Sequence, residues 1–475
     1  MMERFKTFIL MSLVCISLVF TKRLWIELPN EMINIFNNKK EVYGVSYLLS
    51  DMIVPNKYLL NFGYKNHTLF YDDYKHRLWT NSRNVLNNIL GSKSIEISEL
   101  PNDEFSTYNG KRSLVFYFPE KVNTYILAKS LDVKDPNLIV DNLPSVKSIY
   151  ISLVDKDSFC VFSDGEKNLL IYDKSMDLDN LKKQINSIKE NRNYNNYFSM
   201  KEALEVNNDT YISYEMKSTL PTIHVENEIR NLDEEEKKEL VEKFFNKNID
   251  YIREIVESNG STIYIYNQKV LKLNINGSLE YFHPLEELVR KRNLYQSLTT
   301  ASEFISKSPG VPKGMYLAKV EEIEVDNNLG YNLTFRYRVK GIPIILGNEE
   351  VTDFVQIEVF NDHIRSYKHF IRKDMNKSVE SVPEAKRNLA SFDILDMNID
   401  FIVEKYLEKN DIQLLEGEEP VQAEVLETIN DITLSYFDPC LKDIEDELIP
   451  VWVIRMGDGL YAFNVYDGSL VYEKN

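Results

Sequence analysis

The stretch Phe8-Ile9-Leu10-Met11-Ser12-Leu13-Val14-Cys15-Ile16-Ser17-Leu18-Val19-Phe20 carries no charge and lies between Lys6 and the pair Lys22-Arg23. At about 1.5 Å per helical residue the bare run reaches roughly 20 Å, short of a bilayer core of roughly 30 Å. Thr7, Thr21, Leu24, Trp25 and Ile26 extend it close to a full span once the stems of Lys22 and Arg23 reach outward, and Trp25 falls where an interfacial aromatic sits. A cleaved signal peptide requires small residues before the cut, and Thr21-Lys22-Arg23-Leu24-Trp25-Ile26 offers none. A lipoprotein signal at Cys15 would follow Val14 rather than a small residue. A buried helix of a soluble domain is disfavoured by the run's terminal position together with its all-round apolarity. The reading is therefore an uncleaved anchor, with Phe8, Leu13, Ile16, Phe20 and Trp25 as its lipid-facing and interfacial contacts. Both flanks are basic; the short leading flank favours an inside N-terminus, with the rest of the chain outside the cell membrane.

A chain of 475 residues corresponds to two to four domains, and 43% hydrophobic content with 12% aromatics suffices for packed cores. The first 27 residues hold four basic and two acidic residues, so the net charge of −18 leaves −20 on the remainder. That balance argues against nucleic acid as a partner, because phosphate binding needs a basic stripe. Outside the anchor only Cys160 and Cys440 remain, too sparse for a disulfide scaffold, and both read as unpaired, mostly buried thiols.

The patterns predict an α+β chain in five parts: anchor 1–27, linker 28–41, an N-terminal α/β domain 42–228, a middle α+β domain 229–375 and a C-terminal α+β domain 376–475. In the first domain, helices are expected over Lys75–Ile89 and Leu178–Glu190, and Phe159–Phe162 and Asn168–Asp173 flank a hairpin turn at Asp164-Gly165. Asp233 is placed to cap a helix ending at Phe244-Phe245, and its following Glu triple reads as a helix start, not a metal site. Strand-like runs Ser261–Tyr266 and Val270–Ile275 follow, then the turn Asn276-Gly277. The last two domains carry a weak repeat of period about 105 residues. One copy has a helix over Pro284–Ser306, strands Met315–Val325 and Asn332–Lys340, then Ile342-Pro343 and an alternating strand to Asn361-Asp362. The other has Ile399–Lys409, strands Gln422–Leu426 and Asp431–Tyr436, then Ile449-Pro450 and an alternating strand to Asp467-Gly468. In each, the Ile-Pro dipeptide is expected to open a strand.

Catalytic and metal signatures are absent from this reading. None of the six histidines forms an H-E-x-x-H pair, and His363 and His369, evenly spaced on a predicted strand and about 20 Å apart, read as unrelated surface residues. There is no G-x-S-x-G elbow or Walker loop, and Gly457-Asp458-Gly459 reads as a hairpin turn. Asp443, Glu445, Asp446 and Glu447 read as a solvated loop. No enzyme activity, cofactor, metal or catalytic residue is expected.

Several passages together resemble the YycH regulatory proteins, with the related YycI proteins resembling the C-terminal part. These are the anchor leading into Leu24-Trp25 and Pro29, Val54-Pro55 with Leu59-Leu60-Asn61, and Phe244-Phe245 with Ile252-Arg253-Glu254. Gly260-Ser261-Thr262-Ile263-Tyr264, Phe335-Arg336-Tyr337 with Gly341-Ile342-Pro343, Pro450-Val451-Trp452 and Asn464-Val465-Tyr466-Asp467-Gly468 complete the set. The resemblance implies a single-pass membrane protein whose extracytoplasmic part ends in two similar, PepSY-like domains. It implies as partners a YycI-like protein and a WalK-type sensor histidine kinase of the Gram-positive cell-wall two-component system. It also implies that contacts between membrane helices take part in regulation. Small polar side chains support close helix pairing in lipid, which marks Ser12 and Cys15 on one face and Ser17 and Thr21 on another as candidate contacts; the same hydroxyls also suit bonds to their own helix backbone. A rival expectation is an extracytoplasmic binder of wall polymer or peptide with no kinase partner.

Overall fold

The computed structural model describes residues 49–475 apart from 72, 74, 155–157, 175, 218, 308–313, 348–350, 376–387, 413–421, 441–444 and 475. Three sheets organise them, all but one strand pair antiparallel, with helices packed on them: an α+β fold.

The first sheet has nine strands: β1 (Lys57–Asn61), β2 (His67–Phe70), β3 (Glu96–Leu100), β4 (Ser113–Asn123), β5 (Ser145–Ser152), β6 (Cys160–Ser163), β7 (Asn168–Tyr172), β8 (Tyr197–Ser199) and β9 (Tyr211–Ser213). Their order is β3-β7-β6-β5-β4-β1-β2-β8-β9. The central strand β5 buries Ile149, Tyr150 and Ile151 in succession, because both its faces are covered. The expected helices form over Leu78–Gly91 and Asp179–Asn191. Trp79 sets its ring edge-on to Phe116 and Phe118 of β4, at 5.2 and 5.8 Å. The β6–β7 hairpin closes where expected: Gly165 takes φ 97°, and Asp164 Oδ1 accepts from the Glu166 and Lys167 amides.

The middle sheet runs β11 (Arg253–Val256), β12 (Thr262–Tyr266), β13 (Lys269–Leu273), β14 (Leu279–Phe282), β20 (His363–His369), β19 (Val355–Phe360), β16 (Asn328–Arg336), β15 (Tyr316–Val325). Helix Leu294–Lys307 lies on it, with Phe304 packed among Phe244, Tyr281 and Tyr367. The helix begins ten residues later than the apolar pattern at Pro284 suggests. Helix Glu234–Phe245 starts as expected: Asp233 Oδ1 accepts from the Glu235 and Glu236 amides, and Glu236 Oε2 accepts from the Asp233 amide. Asp233→Ala removes this cap and is expected to cost about 1 kcal/mol, read from a urea melt.

The remaining sheet draws on several chain regions: β10 (Ile223–Asn227), β17 (Arg338–Val339), β18 (Ile342–Leu346), β21 (Arg372–Asp374), β22 (Ile429–Asp438), β23 (Glu445–Met456), β24 (Gly459–Asn464) and β25 (Leu470–Lys474). Their order is β17-β18-β22-β23-β10-β21, with β24 also on β23 and β25 on β24. The long strand β23 takes β22 on one edge and shares the other between β10 and β24. The expected boundaries at 228 and 375 each fall directly after a strand of this sheet.

The repeat is visible as topology. Helix Leu294–Lys307 precedes the meander β15-β16-β19-β20, and helices Ser391–Met397 and Ile399–Asn410 precede the meander β22-β23-β24-β25. Its alignment differs from the sequence expectation in two ways. Gln422–Leu426 belongs to helix Gln422–Glu427, not to a strand. Ile342 opens β18, which leaves the middle meander to pair in parallel with β22, whereas Ile449-Pro450 lies inside β23. The two Ile-Pro dipeptides are therefore not equivalent, although Gly457-Asp458 does form the β23–β24 turn.

The middle and last sheets meet at Gly277. Its φ is +84°, and a Cβ there would come within 2.3 Å of the side chain of Asn227, which is fully buried and accepts from the Ile229 and Arg230 amides. Gly277→Ala combines left-handed backbone strain with overpacking, so a loss of about 2–4 kcal/mol is expected in thermal or urea unfolding.

Candidate functional site

Phe8, Leu13, Ile16, Phe20, Trp25, Ser12, Cys15, Ser17 and Thr21 lie outside the described residues, and no helix among the described residues is long and apolar enough to cross a membrane. Within the described residues the chemistry concentrates in one buried seam, built by strands from three chain regions.

Arg372 opens β21, next to β10, and on the far side of β10 lies β23 with Asp446. Asn227 faces Arg372 and Val225 faces Asp446, so both ionic side chains rise from the same sheet face. Arg372 Nη2 donates to Asp446 Oδ2 at 2.8 Å, and its Nε donates to Asp438 Oδ2, at the end of β22, at 3.1 Å. All three side chains are at most 3% exposed. Tyr337 Oη accepts from the Arg372 amide and donates to its carbonyl, at 3.1 and 3.3 Å, and the Cys440 amide donates to Asp438 Oδ1 at 2.8 Å. Burial alone would lower the Arg372 guanidinium, but the two carboxylates outweigh it and hold the charge more firmly than usual. Asp446 thus belongs to a buried ion cluster, not to the solvated loop that its acidic neighbours suggest. With no solvent access, the cluster holds strands together and offers no surface for substrate.

A second set of bonds joins this sheet to the first. Lys57 Nζ meets Asp431 Oδ1 at 2.7 Å, and Arg338 Nη2 donates to the Pro55 carbonyl at 2.7 Å. Asn208 Nδ2 donates to the Leu426 and Ile429 carbonyls, and the Ser213 amide donates to Ser391 Oγ. Residues far apart in sequence are thereby fixed in one body, which suits rigid presentation of a surface.

The histidines are scattered. His363 and His369 do not share the even spacing of a regular strand: β20 carries a bulge between Ile364 and Ser366, which shifts the alternation. His369 is consequently buried rather than on the surface, between the Tyr367 hydroxyl at 2.7 Å and Glu228 Oε2 at 3.2 Å. His363 instead lies 4.5 Å, ring to ring, from His283. Burial first, then His363 and Lys269, hold the His283 imidazole below its usual pKa against the opposing pull of Glu286. A group depressed in the folded state contributes stability above its unfolded pKa and loses it as pH falls. Stability is therefore expected to decline from pH 7 towards pH 5, and His283→Gln should flatten that slope in pH-dependent melts.

Cys160 and Cys440 are unpaired, as expected, and burial pushes both thiols up, away from reactive thiolate. Among the described residues no three His, Cys, Asp or Glu side chains are grouped to hold a metal ion.

No family model and no curated protein matches this chain. Among solved structures, YycH from Bacillus subtilis matches over 89% of this chain and 98% of its own, with a TM-score of 0.53 and 13% identity. The fold is YycH-like. An uncharacterized protein from Eubacterium rectale matches over 54% of this chain and 81% of its own, at 16% identity and TM-score 0.34. The YpeB C-terminal domain from Bacillus megaterium matches over 51% of this chain and 97% of its own, at 12% identity and TM-score 0.25.

Proposed function

We propose that this chain is a single-pass, membrane-anchored extracytoplasmic regulator of a WalK-type sensor histidine kinase, working with a YycI-like partner and catalysing no reaction itself. The observation that carries this reading is the YycH-like fold across 89% of the chain. The apolar run 8–20 ahead of that fold and the tightly bonded sheets support it. The regulator acts by binding one signalling state of the kinase better than the other; it shifts the kinase only as far as that difference in affinity allows. Couplings of this kind are typically about 1–3 kcal/mol, or about 5–150-fold in the equilibrium.

The test has two parts. Pull-down of the full chain from its native membranes is expected to bring down a sensor histidine kinase; retention on isolated cell wall without a kinase would favour a wall-binding module instead. Replacing residues 8–20 with an unrelated membrane anchor is expected to change kinase output, and Ser12→Leu or Ser17→Leu to change it in part, while protein level and melting stay as in the parent. Kinase output indifferent to the whole-anchor replacement would refute a role for the membrane helix.

A further inference from the structure

The chain carries −18 overall, yet one concave site on the first sheet's helical side gathers cations. It has a volume of ≈ 650 Å³, within the range of pockets that hold small organic ligands. Lys189 and Arg192 reach it from the end of helix Asp179–Asn191, Lys217 from the segment after β9, and Asn66 from the β1–β2 turn. Tyr194, only 9% exposed, lines the same cavity with its ring against Phe62 at 4.9 Å.

Lys189, Arg192 and Lys217 are exposed to solvent, and the polar groups around the cavity make few bonds within the protein. Among the described residues the Tyr194 hydroxyl and the Arg192 guanidinium have no hydrogen bond or ion pair, and Lys189 has only the face of the Phe62 ring at 6.0 Å. Asn66 Oδ1 is buried and unpartnered. Lys217 does have a partner, Glu215 at 3.2 Å, which also accepts from Asn196 Nδ2. Glu190 lines the cavity as well. Lys189 and Arg192 also complement the negative end of their helix. That role does not need an arginine at the cap: Arg192 stands at φ 50°, where glycine or asparagine is the usual residue.

We propose that this cavity binds a phosphate ester that also carries hydroxyl groups. A guanidinium, an ammonium group and a tyrosine hydroxyl from residues 189–194 line the cavity together with the Lys217 ammonium from a second segment, a donor set that suits the several oxygens of a phosphate. The Glu190 carboxylate would clash with a second phosphate but accepts from a hydroxyl. The phosphate ester is either free in solution or the headgroup of a lipid, and the site is independent of any contact with a kinase.

The test uses the full chain, in neutral detergent with sn-glycerol 3-phosphate in one arm, and reconstituted without detergent in phosphatidylcholine vesicles with or without phosphatidylglycerol in the other. Saturable binding is expected in one arm at least, weakening as salt rises. Arg192→Gly keeps the backbone conformation and removes the charge; Tyr194→Phe removes only the hydroxyl. Each is expected to weaken binding about tenfold, the usual worth of one charge-assisted bond, with Arg192→Gly melting at or above the parent temperature. Binding in the first arm identifies a soluble ester, and binding in the second alone a lipid headgroup. Absence of saturable binding at millimolar ligand in both arms, or affinity indifferent to both substitutions, would overturn the proposal.

Discussion

Arg372→Met is expected to lower the free energy of unfolding by about 3–5 kcal/mol at neutral pH, because it strands two buried carboxylates whose guanidinium partner is gone. Met fills a similar volume, so little of the loss comes from packing. The stranded Asp438 and Asp446 lie at most 3% exposed, so at least one carboxyl must take up a proton in the folded variant. That sets the sign of its pH dependence. A carboxyl whose folded pKa is raised favours the folded state below its unfolded pKa and stops doing so as pH rises through the folded value. The deficit of Arg372→Met should therefore be largest near pH 7 and shrink towards pH 4. The triple substitution that also makes Asp438 and Asp446 Asn should recover much of the loss, since no charge remains unpaired. Urea melts of all three proteins at pH 7 and pH 5 measure this; a deficit equal at both pH values would mean that Arg372 contributes packing alone.

Much of the layout was legible because local signals dominate there. Asp233 followed by Glu236 is a capping box whatever the rest of the chain does, and Asp164-Gly165 between two apolar runs closes a hairpin by itself. The helix-then-meander repeat showed through as two similar orders of elements. What the sequence hid is long-range. Strand β18 interrupts the middle meander to pair with β22, and nothing in Ile342–Leu346 names a partner some ninety residues away. The bulge in β20 buries His369, although spacing alone puts it on the same face as His363. Arg372 follows Phe370 and Ile371 but opens the charged run Arg372-Lys373-Asp374, so nothing local marks it as buried. Of its partners, Asp446 sits in an acidic stretch that reads as solvent-facing until the fold encloses it, and Asp438 follows the apolar pair Tyr436-Phe437 with no charged neighbour to suggest an ion pair. The cavity at Lys189 and Arg192 is hidden in the sequence for a similar reason: basic residues at a helix end are ordinary, and only their meeting with Tyr194 and Lys217 makes a site. The membrane contacts expected at Ser12, Cys15, Ser17 and Thr21 stand as proposals that rest on the sequence.

Trp452→Ala is expected to cost about 3–5 kcal/mol, and to do so for all three sheets at once. The indole is fully buried in β23, between Leu434 of β22 and Phe463 of β24, and its N–H donates to the Leu389 carbonyl at 3.0 Å. Truncation leaves a large cavity in a strand held on both edges, which is where relaxation is least able to close it. It also leaves the Leu389 carbonyl without that donor, a smaller loss of about 1 kcal/mol. Trp452→Phe separates the terms: it keeps most of the ring and removes the N–H, so it should lose roughly a third as much. The wider consequence follows from the connections of β23. It carries β10, which carries β21, and its neighbour β22 carries β18 from within the middle meander; Asp431 and Leu434 of β22 bond to Lys57 and Tyr71 near the first sheet. Loosening β23 therefore withdraws support from every part of the described chain, and we propose that unfolding stays a single transition in the parent and in Trp452→Ala alike. Far-ultraviolet circular dichroism and near-ultraviolet aromatic signals should give coincident midpoints in both proteins, with the Trp452→Ala midpoint lowered. Two separated transitions in the parent would show instead that the first sheet folds on its own and that the bonds at Lys57, Arg338 and Asn208 are weaker than their burial implies.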